Sequence, residues 1–263
     1  MPQRLALTIG INYAGGPSEL RGCLADARHW SGALAARGFE VQTLLEKDAT
    51  KANIIDATKS LVSRLGHCDV GFVTFSGHGT FVADAEGGDE ADGRDEAWVP
   101  CDYAGGNLMT DDEVFDLHSD RHRTSRLVVV SDSCHSGTVS RFAAEPEPEP
   151  GPYRAVRFLP PTRDWLPKKL VPHVGGPPRT ARRAKTPALL LSGCRDWEYS
   201  YDANIDGIAQ GAASWAYLAA LKEGPKTYRD WAKLMPARLP TRQYPQTPCL
   251  LGTKSQQRWP VPA

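Results

Sequence analysis

The sequence predicts an α/β fold with a mainly parallel central sheet of about six strands. Two observations carry this reading. Strand-like and helix-like stretches alternate along the chain, and most of the strand-like stretches are unbroken apolar runs. A strand that is apolar on both sides is buried on both faces, as in a parallel sheet covered by helices.

The elements follow in order. Leu5–Ile11 is an apolar run, and a helical pattern extends from about Arg21 to Arg37. Phe39–Leu45 alternates like a strand, Thr50–Leu65 reads as an amphipathic helix, and Val70–Phe75 is a third strand followed by a glycine-rich, acidic loop. Thr110-Asp-Asp-Glu113 is a capping box that opens another helix. Arg126–Asp132 is the most hydrophobic strand. Residues 143–187 hold 11 of the 21 prolines and nine Lys or Arg, so this stretch is expected to resist regular structure and to form an exposed connector. Order returns with the strand Pro187-Ala-Leu-Leu-Leu-Ser-Gly193, helices near Ala212–Lys222 and Thr227–Leu239, and a last strand at Cys249–Gly252. The division is thus 1–142, a linker at 143–187, and a smaller part, 188–263, that completes the same sheet.

Composition excludes several classes of function. Lys plus Arg and Asp plus Glu are both 31, so no overall field favours nucleic acid or a membrane surface. The N-terminal run MPQRLALTIGINY is too short for a signal peptide or a membrane span, which makes a cytoplasmic location the expectation. The six cysteines show no CxxC pair and no structural zinc spacing, and in that compartment they are expected to be reduced.

Two strand ends carry reactive groups: Phe75-Ser-Gly-His-Gly-Thr80 and Asp132-Ser-Cys-His-Ser-Gly137. In open parallel sheets, functional residues gather beyond the carboxyl ends of strands. A thiol needs a base, or a cation to stabilise its thiolate, and an imidazole serves either role. His78 and Cys134 are therefore the candidate base and nucleophile, with backbone N–H groups of Gly79 and Cys134 as candidate oxyanion donors. The bland readings are a packing cysteine and a hydrogen-bonded histidine. The joint pattern, Gly-His-Gly placed 56 residues before Ser-Cys, is far less common. His135 adjoins Cys134 but its side chain is expected to diverge, and His67 lacks the glycine setting.

The order T-I-G-I-N-Y, G-C-L-A-D-A, S-G-H-G-T and D-S-C-H-S-G resembles the metacaspase and orthocaspase branch of the caspase-type cysteine peptidases. The resemblance covers residues 4–137 well and the remainder more loosely. It implies a caspase-like α/β/α sandwich, with a large-subunit-like region at 1–142 and a small-subunit-like region after the linker. It also implies a His78–Cys134 dyad and maps a substrate pocket onto Cys23, Asp26, Ser76 and Asp132. Two carboxylates in one pocket suit a guanidinium or an ammonium, so cleavage after Arg or Lys is expected. Taken singly, Asp26 reads equally well as a helix-start acid and Asp132 as a turn residue. Arg154, Arg157, Lys169, Arg182, Arg183 and Lys185 then become candidate self-processing sites in the linker.

Residues 84–96 contain seven acids in thirteen, hard oxygen ligands that suit calcium, although the spacing fits no EF-hand. By resemblance, three of the four aspartates of calcium-dependent metacaspases map onto Asp95, Asp111 and Asp112. The fourth position is Arg141, so no cofactor is expected to be required. Two other classes stand beside the peptidase, whose partners would be proteins or peptides with basic residues. One is a pseudo-enzyme adaptor, which usually requires a broken dyad or a filled pocket, where the sequence offers both intact. The other is a nucleotide-binding module, for which I-G-I-N-Y-A-G-G is a poor phosphate loop.

Overall fold

The computed structural model describes residues 2–83, 94–134, 153–162 and 187–263. Its elements are β1 (Arg4–Gly10), α1 (Cys23–Ala35), β2 (Glu40–Leu45), α2 (Lys51–Arg64), β3 (Val70–Ser76), β4 (Gly79–Ala83), β5 (Arg94–Trp98), β6 (Met109–Thr110) and α3 (Asp111–Ser119). They continue with β7 (Arg126–Asp132), β8 (Arg154–Val156), β9 (Leu189–Ser192), β10 (Tyr201–Ile205), β11 (Ile208–Gly211), α4 (Ala212–Leu221), α5 (Tyr228–Lys233) and β12 (Cys249–Leu251).

Six strands form the central sheet in the order β12-β9-β7-β3-β1-β2. All neighbours are parallel except β12, which runs antiparallel to β9 at one edge. The apolar runs behave as expected. On β7, Leu127 and Val129 join the core under α2, while Val128 and Val130 join the core that holds Trp30 of α1 and Tyr217 of α4. Burial of each such side chain contributes roughly 1.5–3 kcal/mol before entropy is counted. The unbroken apolar run Leu127–Val130 of β7 is thus explained by a sheet covered on both faces.

Helix ends follow local chemistry. Thr110 accepts from the Glu113 backbone N–H, and the Glu113 carboxylate accepts from the Thr110 N–H, completing the expected capping box. The helix expected at Thr227–Leu239 stops at Lys233 and continues as a 3₁₀ turn, Met235–Ala237. Pro236 lies in that turn and has no N–H for a further α-helical bond.

Two features depart from the sequence reading. The acidic loop after β3 is flanked by strands: β4 and β5 pair antiparallel, and β6 joins them as a second, three-stranded sheet. Within the expected linker, residues 153–162 are ordered, and β8 forms a third sheet with β10 and β11. The physical reason is burial: Arg157, Phe158 and Leu159 are all buried, so this stretch is tied down by contacts its composition does not reveal. Linker residues 143–152 and 163–186 lie outside the described regions.

Candidate active site

The sheet register brings the two reactive strand ends together. Ser76, the last residue of β3, pairs with Asp132, the last residue of β7. His78 and Cys134 therefore both lie two residues beyond the sheet, at the same level. A Cβ added to Gly79 would fall 1.8 Å from the carbonyl oxygen of Cys134. Only glycine permits that approach of two backbones, which explains its place after His78.

His78 is buried, and its Nε2 lies 2.7 Å from the carbonyl oxygen of Ser18. A carbonyl only accepts, so Nε2 carries the proton and Nδ1 holds the free lone pair. Nδ1 is buried with no hydrogen-bond partner among the described residues. The His78 backbone N–H donates to the Tyr13 hydroxyl at 2.9 Å, which in turn donates to Val99 O at 2.6 Å. Burial pushes the His78 pKa down to about 4, and the nearby Arg157 charge acts in the same direction. The imidazole is therefore neutral at neutral pH and available as a base. The Cys134 Sγ accepts from Ser200 N–H at 2.7 Å and donates to Ser200 O at 3.4 Å. Imidazole and thiol are thus each held by a neighbouring backbone and not by one another. The Cys194 thiol lies against that of Cys134, and this contact, together with burial, pushes its pKa up.

Arg157 fills the space in front of these groups. Its carbonyl oxygen accepts from Gly79 N–H at 3.0 Å and from Cys134 N–H at 3.1 Å, the two donors expected to face an oxyanion. Its guanidinium is fully buried. Nη2 donates to Asp26 Oδ2 at 2.6 Å and to Asp202 Oδ1 at 2.9 Å. Nη1 lies 3.2 Å from Asp132 Oδ2 and donates to Asp132 O at 3.1 Å. The segment before Arg157 adds β8 as an antiparallel strand on β10, and Arg157 N–H donates to Ser200 O at 2.9 Å. After it, Leu159 N–H donates to Gly79 O at 2.9 Å. Phe158 packs beside Cys134, Phe81 and Tyr199. Residues 154–159 thus run between the two strand ends, with the Arg157 carbonyl on the N–H groups of Gly79 and Cys134.

The sequence-derived pocket residues differ in their contacts. Asp26 and Asp132 touch the guanidinium directly. Cys23 is buried near them, and burial pushes its pKa well up against the pull of Arg157. Ser76 is buried, and its hydroxyl has no hydrogen-bond partner among the described residues. The carboxylates are fixed by a second set of donors. Asp26 accepts from Gly211 N–H at 2.9 Å, and Asp132 accepts from Ser200 Oγ at 2.6 Å and Ser214 N–H at 2.8 Å. Burial pushes the Asp26 pKa up to about 7 even though Arg157 pulls it down.

Sequence reasoning missed Asp202, Tyr13 and Ser18. Asp202 lies beyond the linker in no motif, and its partners are set by tertiary contact alone. Arg157 did carry a signal: of the six basic candidates, it alone sits inside an apolar run, Ala155-Val-Arg-Phe-Leu159. Among the calcium candidates, Asp95 is buried on β5, while Asp111 and Asp112 occupy the first turn of α3. Among the described residues no group of three or more His, Cys, Asp or Glu side chains is disposed to hold a metal ion. Arg141 and residues 84–93 of the acidic stretch lie outside the described residues. Among the described residues no helix is long and apolar enough to cross a membrane.

A buried neutral imidazole, a thiol, and two N–H groups on one carbonyl are the equipment for acyl transfer to sulfur, the chemistry of a cysteine peptidase. Comparison with known proteins agrees. Residues 4–142 match the family model of the metacaspase, peptidase C14 domain. Metacaspase-1B of Aspergillus fumigatus is 33% identical over 94% of this chain and 69% of its own length. Metacaspase-1 of Mycosarcoma maydis is 32% identical over 87% of this chain and 65% of its own length. A crystal structure of a Geobacter sulfurreducens protein superposes with a TM-score of 0.73, at 31% identity, over 98% of this chain and 97% of its own. The chain belongs to the metacaspase family of cysteine peptidases, and its substrates are proteins.

Proposed function

We propose that this metacaspase cleaves peptide bonds after Arg or Lys with a His78–Cys134 dyad, and that it processes itself at Arg157–Phe158. One observation carries the reading. A single residue, Arg157, has its cation among carboxylates and its carbonyl on two N–H donors beside a thiol. The chemistry runs in two steps. His78 Nδ1 takes the thiol proton, and the thiolate attacks the carbonyl carbon to give an oxyanion bound by Gly79 and Cys134 N–H. The C–N bond then breaks as the imidazolium returns its proton to the leaving amine, leaving a thioester. Water, deprotonated by His78, attacks the thioester and releases the acid and the thiol. For attack, the thiol rotates from Ser200 toward Nδ1. Calcium has no step in this sequence.

A panel of fluorogenic peptides with Arg, Lys or Asp before the cut, with calcium or with chelator, tests the reading. Cleavage after Arg and Lys in both conditions is expected, with none by Cys134→Ala. On long incubation, wild type but not Cys134→Ala or Arg157→Gln should yield a fragment beginning at Phe158. Cleavage only after Asp would sink the pocket assignment. A thiol-reactive probe that leaves Cys134 unlabelled would favour a binding adaptor.

A further inference from the structure

The acidic pocket contains one more carboxylate than the family resemblance maps. Asp202, fully buried on β10, places Oδ1 2.9 Å from Arg157 Nη2. Its position is not accidental packing. Oδ2 accepts from Arg21 N–H at 2.7 Å and from the Tyr153 hydroxyl at 3.0 Å, and Gly22 N–H lies 3.1 Å from each oxygen. A Cβ at Gly22 would lie 2.5 Å from Asp202 Oδ1, so the missing side chain is what allows the carboxylate to reach inward. Asp26 reaches the pocket from α1, Asp132 from the end of β7, and Asp202 from the far side of the linker.

The three acids are not equivalent around the cation. Asp26 and Asp202 share Nη2, whereas Asp132 supplies both acceptors of Nη1. Nε has no hydrogen-bond partner among the described residues. Recognition therefore rests on the two terminal nitrogens, each with its own acceptors. A guanidinium is a planar fork that presents both nitrogens at once, whereas an ammonium is a single point charge that cannot occupy both positions.

We propose that Asp202 is a third specificity-determining residue of the substrate pocket, and that with Asp26 and Asp132 it makes the enzyme select arginine over lysine. This rests on the pocket being the one that binds the residue before the cut. It narrows that pocket's substrate class from basic to guanidinium-bearing.

The test is the ratio of kcat/KM for two peptides that differ only in Arg or Lys before the cut, measured on wild type and Asp202→Asn. Both peptides compete with the same tethered segment, so its occupancy cancels in the ratio. Wild type should favour Arg by tenfold or more. Asp202→Asn, which loses one charge-assisted bond to one fork nitrogen, should lower the ratio by about tenfold. If Asp202→Asn does not fold, Asp202→Glu gives the second reading. It keeps the charge but displaces the acceptor, and it should also lower the ratio. A ratio unchanged in the folded variant would mean that Asp202 is purely structural and would overturn the inference, as would equal use of Arg and Lys by wild type. Failure of wild type to cleave after either residue would remove the proposed function itself, an outcome distinct from a flat ratio.

Discussion

Two residues show how little side-chain chemistry the site requires once the backbone is placed. Gly79 is needed for what it lacks, since any Cβ would collide with the Cys134 carbonyl. Gly79→Ala is therefore expected to push apart the two N–H donors. It should lower kcat/KM for an Arg peptide by about 10²–10³-fold, the cost of losing an oxyanion donor. Thermal unfolding measured alongside separates this loss from global destabilisation. His78 was legible in the sequence from its glycine frame, whereas its tautomer was not. That is decided by Ser18, a residue no motif distinguishes, because a backbone carbonyl can only accept.

At the scale of elements, the local rules performed well where the interactions are local. The capping box of α3 spans four residues and was readable as written. Thr110→Ala removes the side-chain acceptor and should lower stability by about 1 kcal/mol, measurable as a shift in the urea midpoint with unchanged slope. Glu113, the other half of the box, also pairs with Lys51 of α2 at 2.7 Å, so its loss reaches a second helix. β8 shows the opposite case. Residues 154–156 lie in a proline-rich stretch with no strand signal of their own, and they become a strand because β10 offers an unpaired edge. Strand addition of this kind draws its affinity from main-chain bonds, which any sequence can make. Composition was accordingly a poor guide at that point.

For the whole molecule, burial of neutral histidines sets the response to acid. Both His78 and His118 are buried, and burial is the main cause that lowers each pKa to about 4. The unfolded chain takes up these protons near pH 6.5, the folded protein only near 4. Stability present above pH 6.5 is therefore lost as pH falls through that window, at a cost on the order of 3 kcal/mol per histidine once both states are protonated. Asp26, raised to about 7, works in the opposite direction between about 4 and 7. Comparing wild type with His118→Leu isolates one histidine. The stability difference between the two proteins should change by up to that amount in favour of the variant between pH 7 and 4, read by denaturant melts. A difference that stays flat with pH would show that His118 is accessible to protons in the folded state.

The sequence by itself determined the sheet, its covered faces, and the two strand ends that carry His78 and Cys134. It did so because hydrophobic period, capping and glycine placement act over a few residues. It also named Asp26 and Asp132 as pocket acids, although only through family resemblance. The tertiary structure alone decided that the Ser76–Asp132 register puts those ends side by side and that Asp202 meets the Arg157 guanidinium. It alone placed the Arg157 guanidinium against Asp26, Asp132 and Asp202. Each of these depends on contacts between residues far apart in the chain, where no local period exists to announce them.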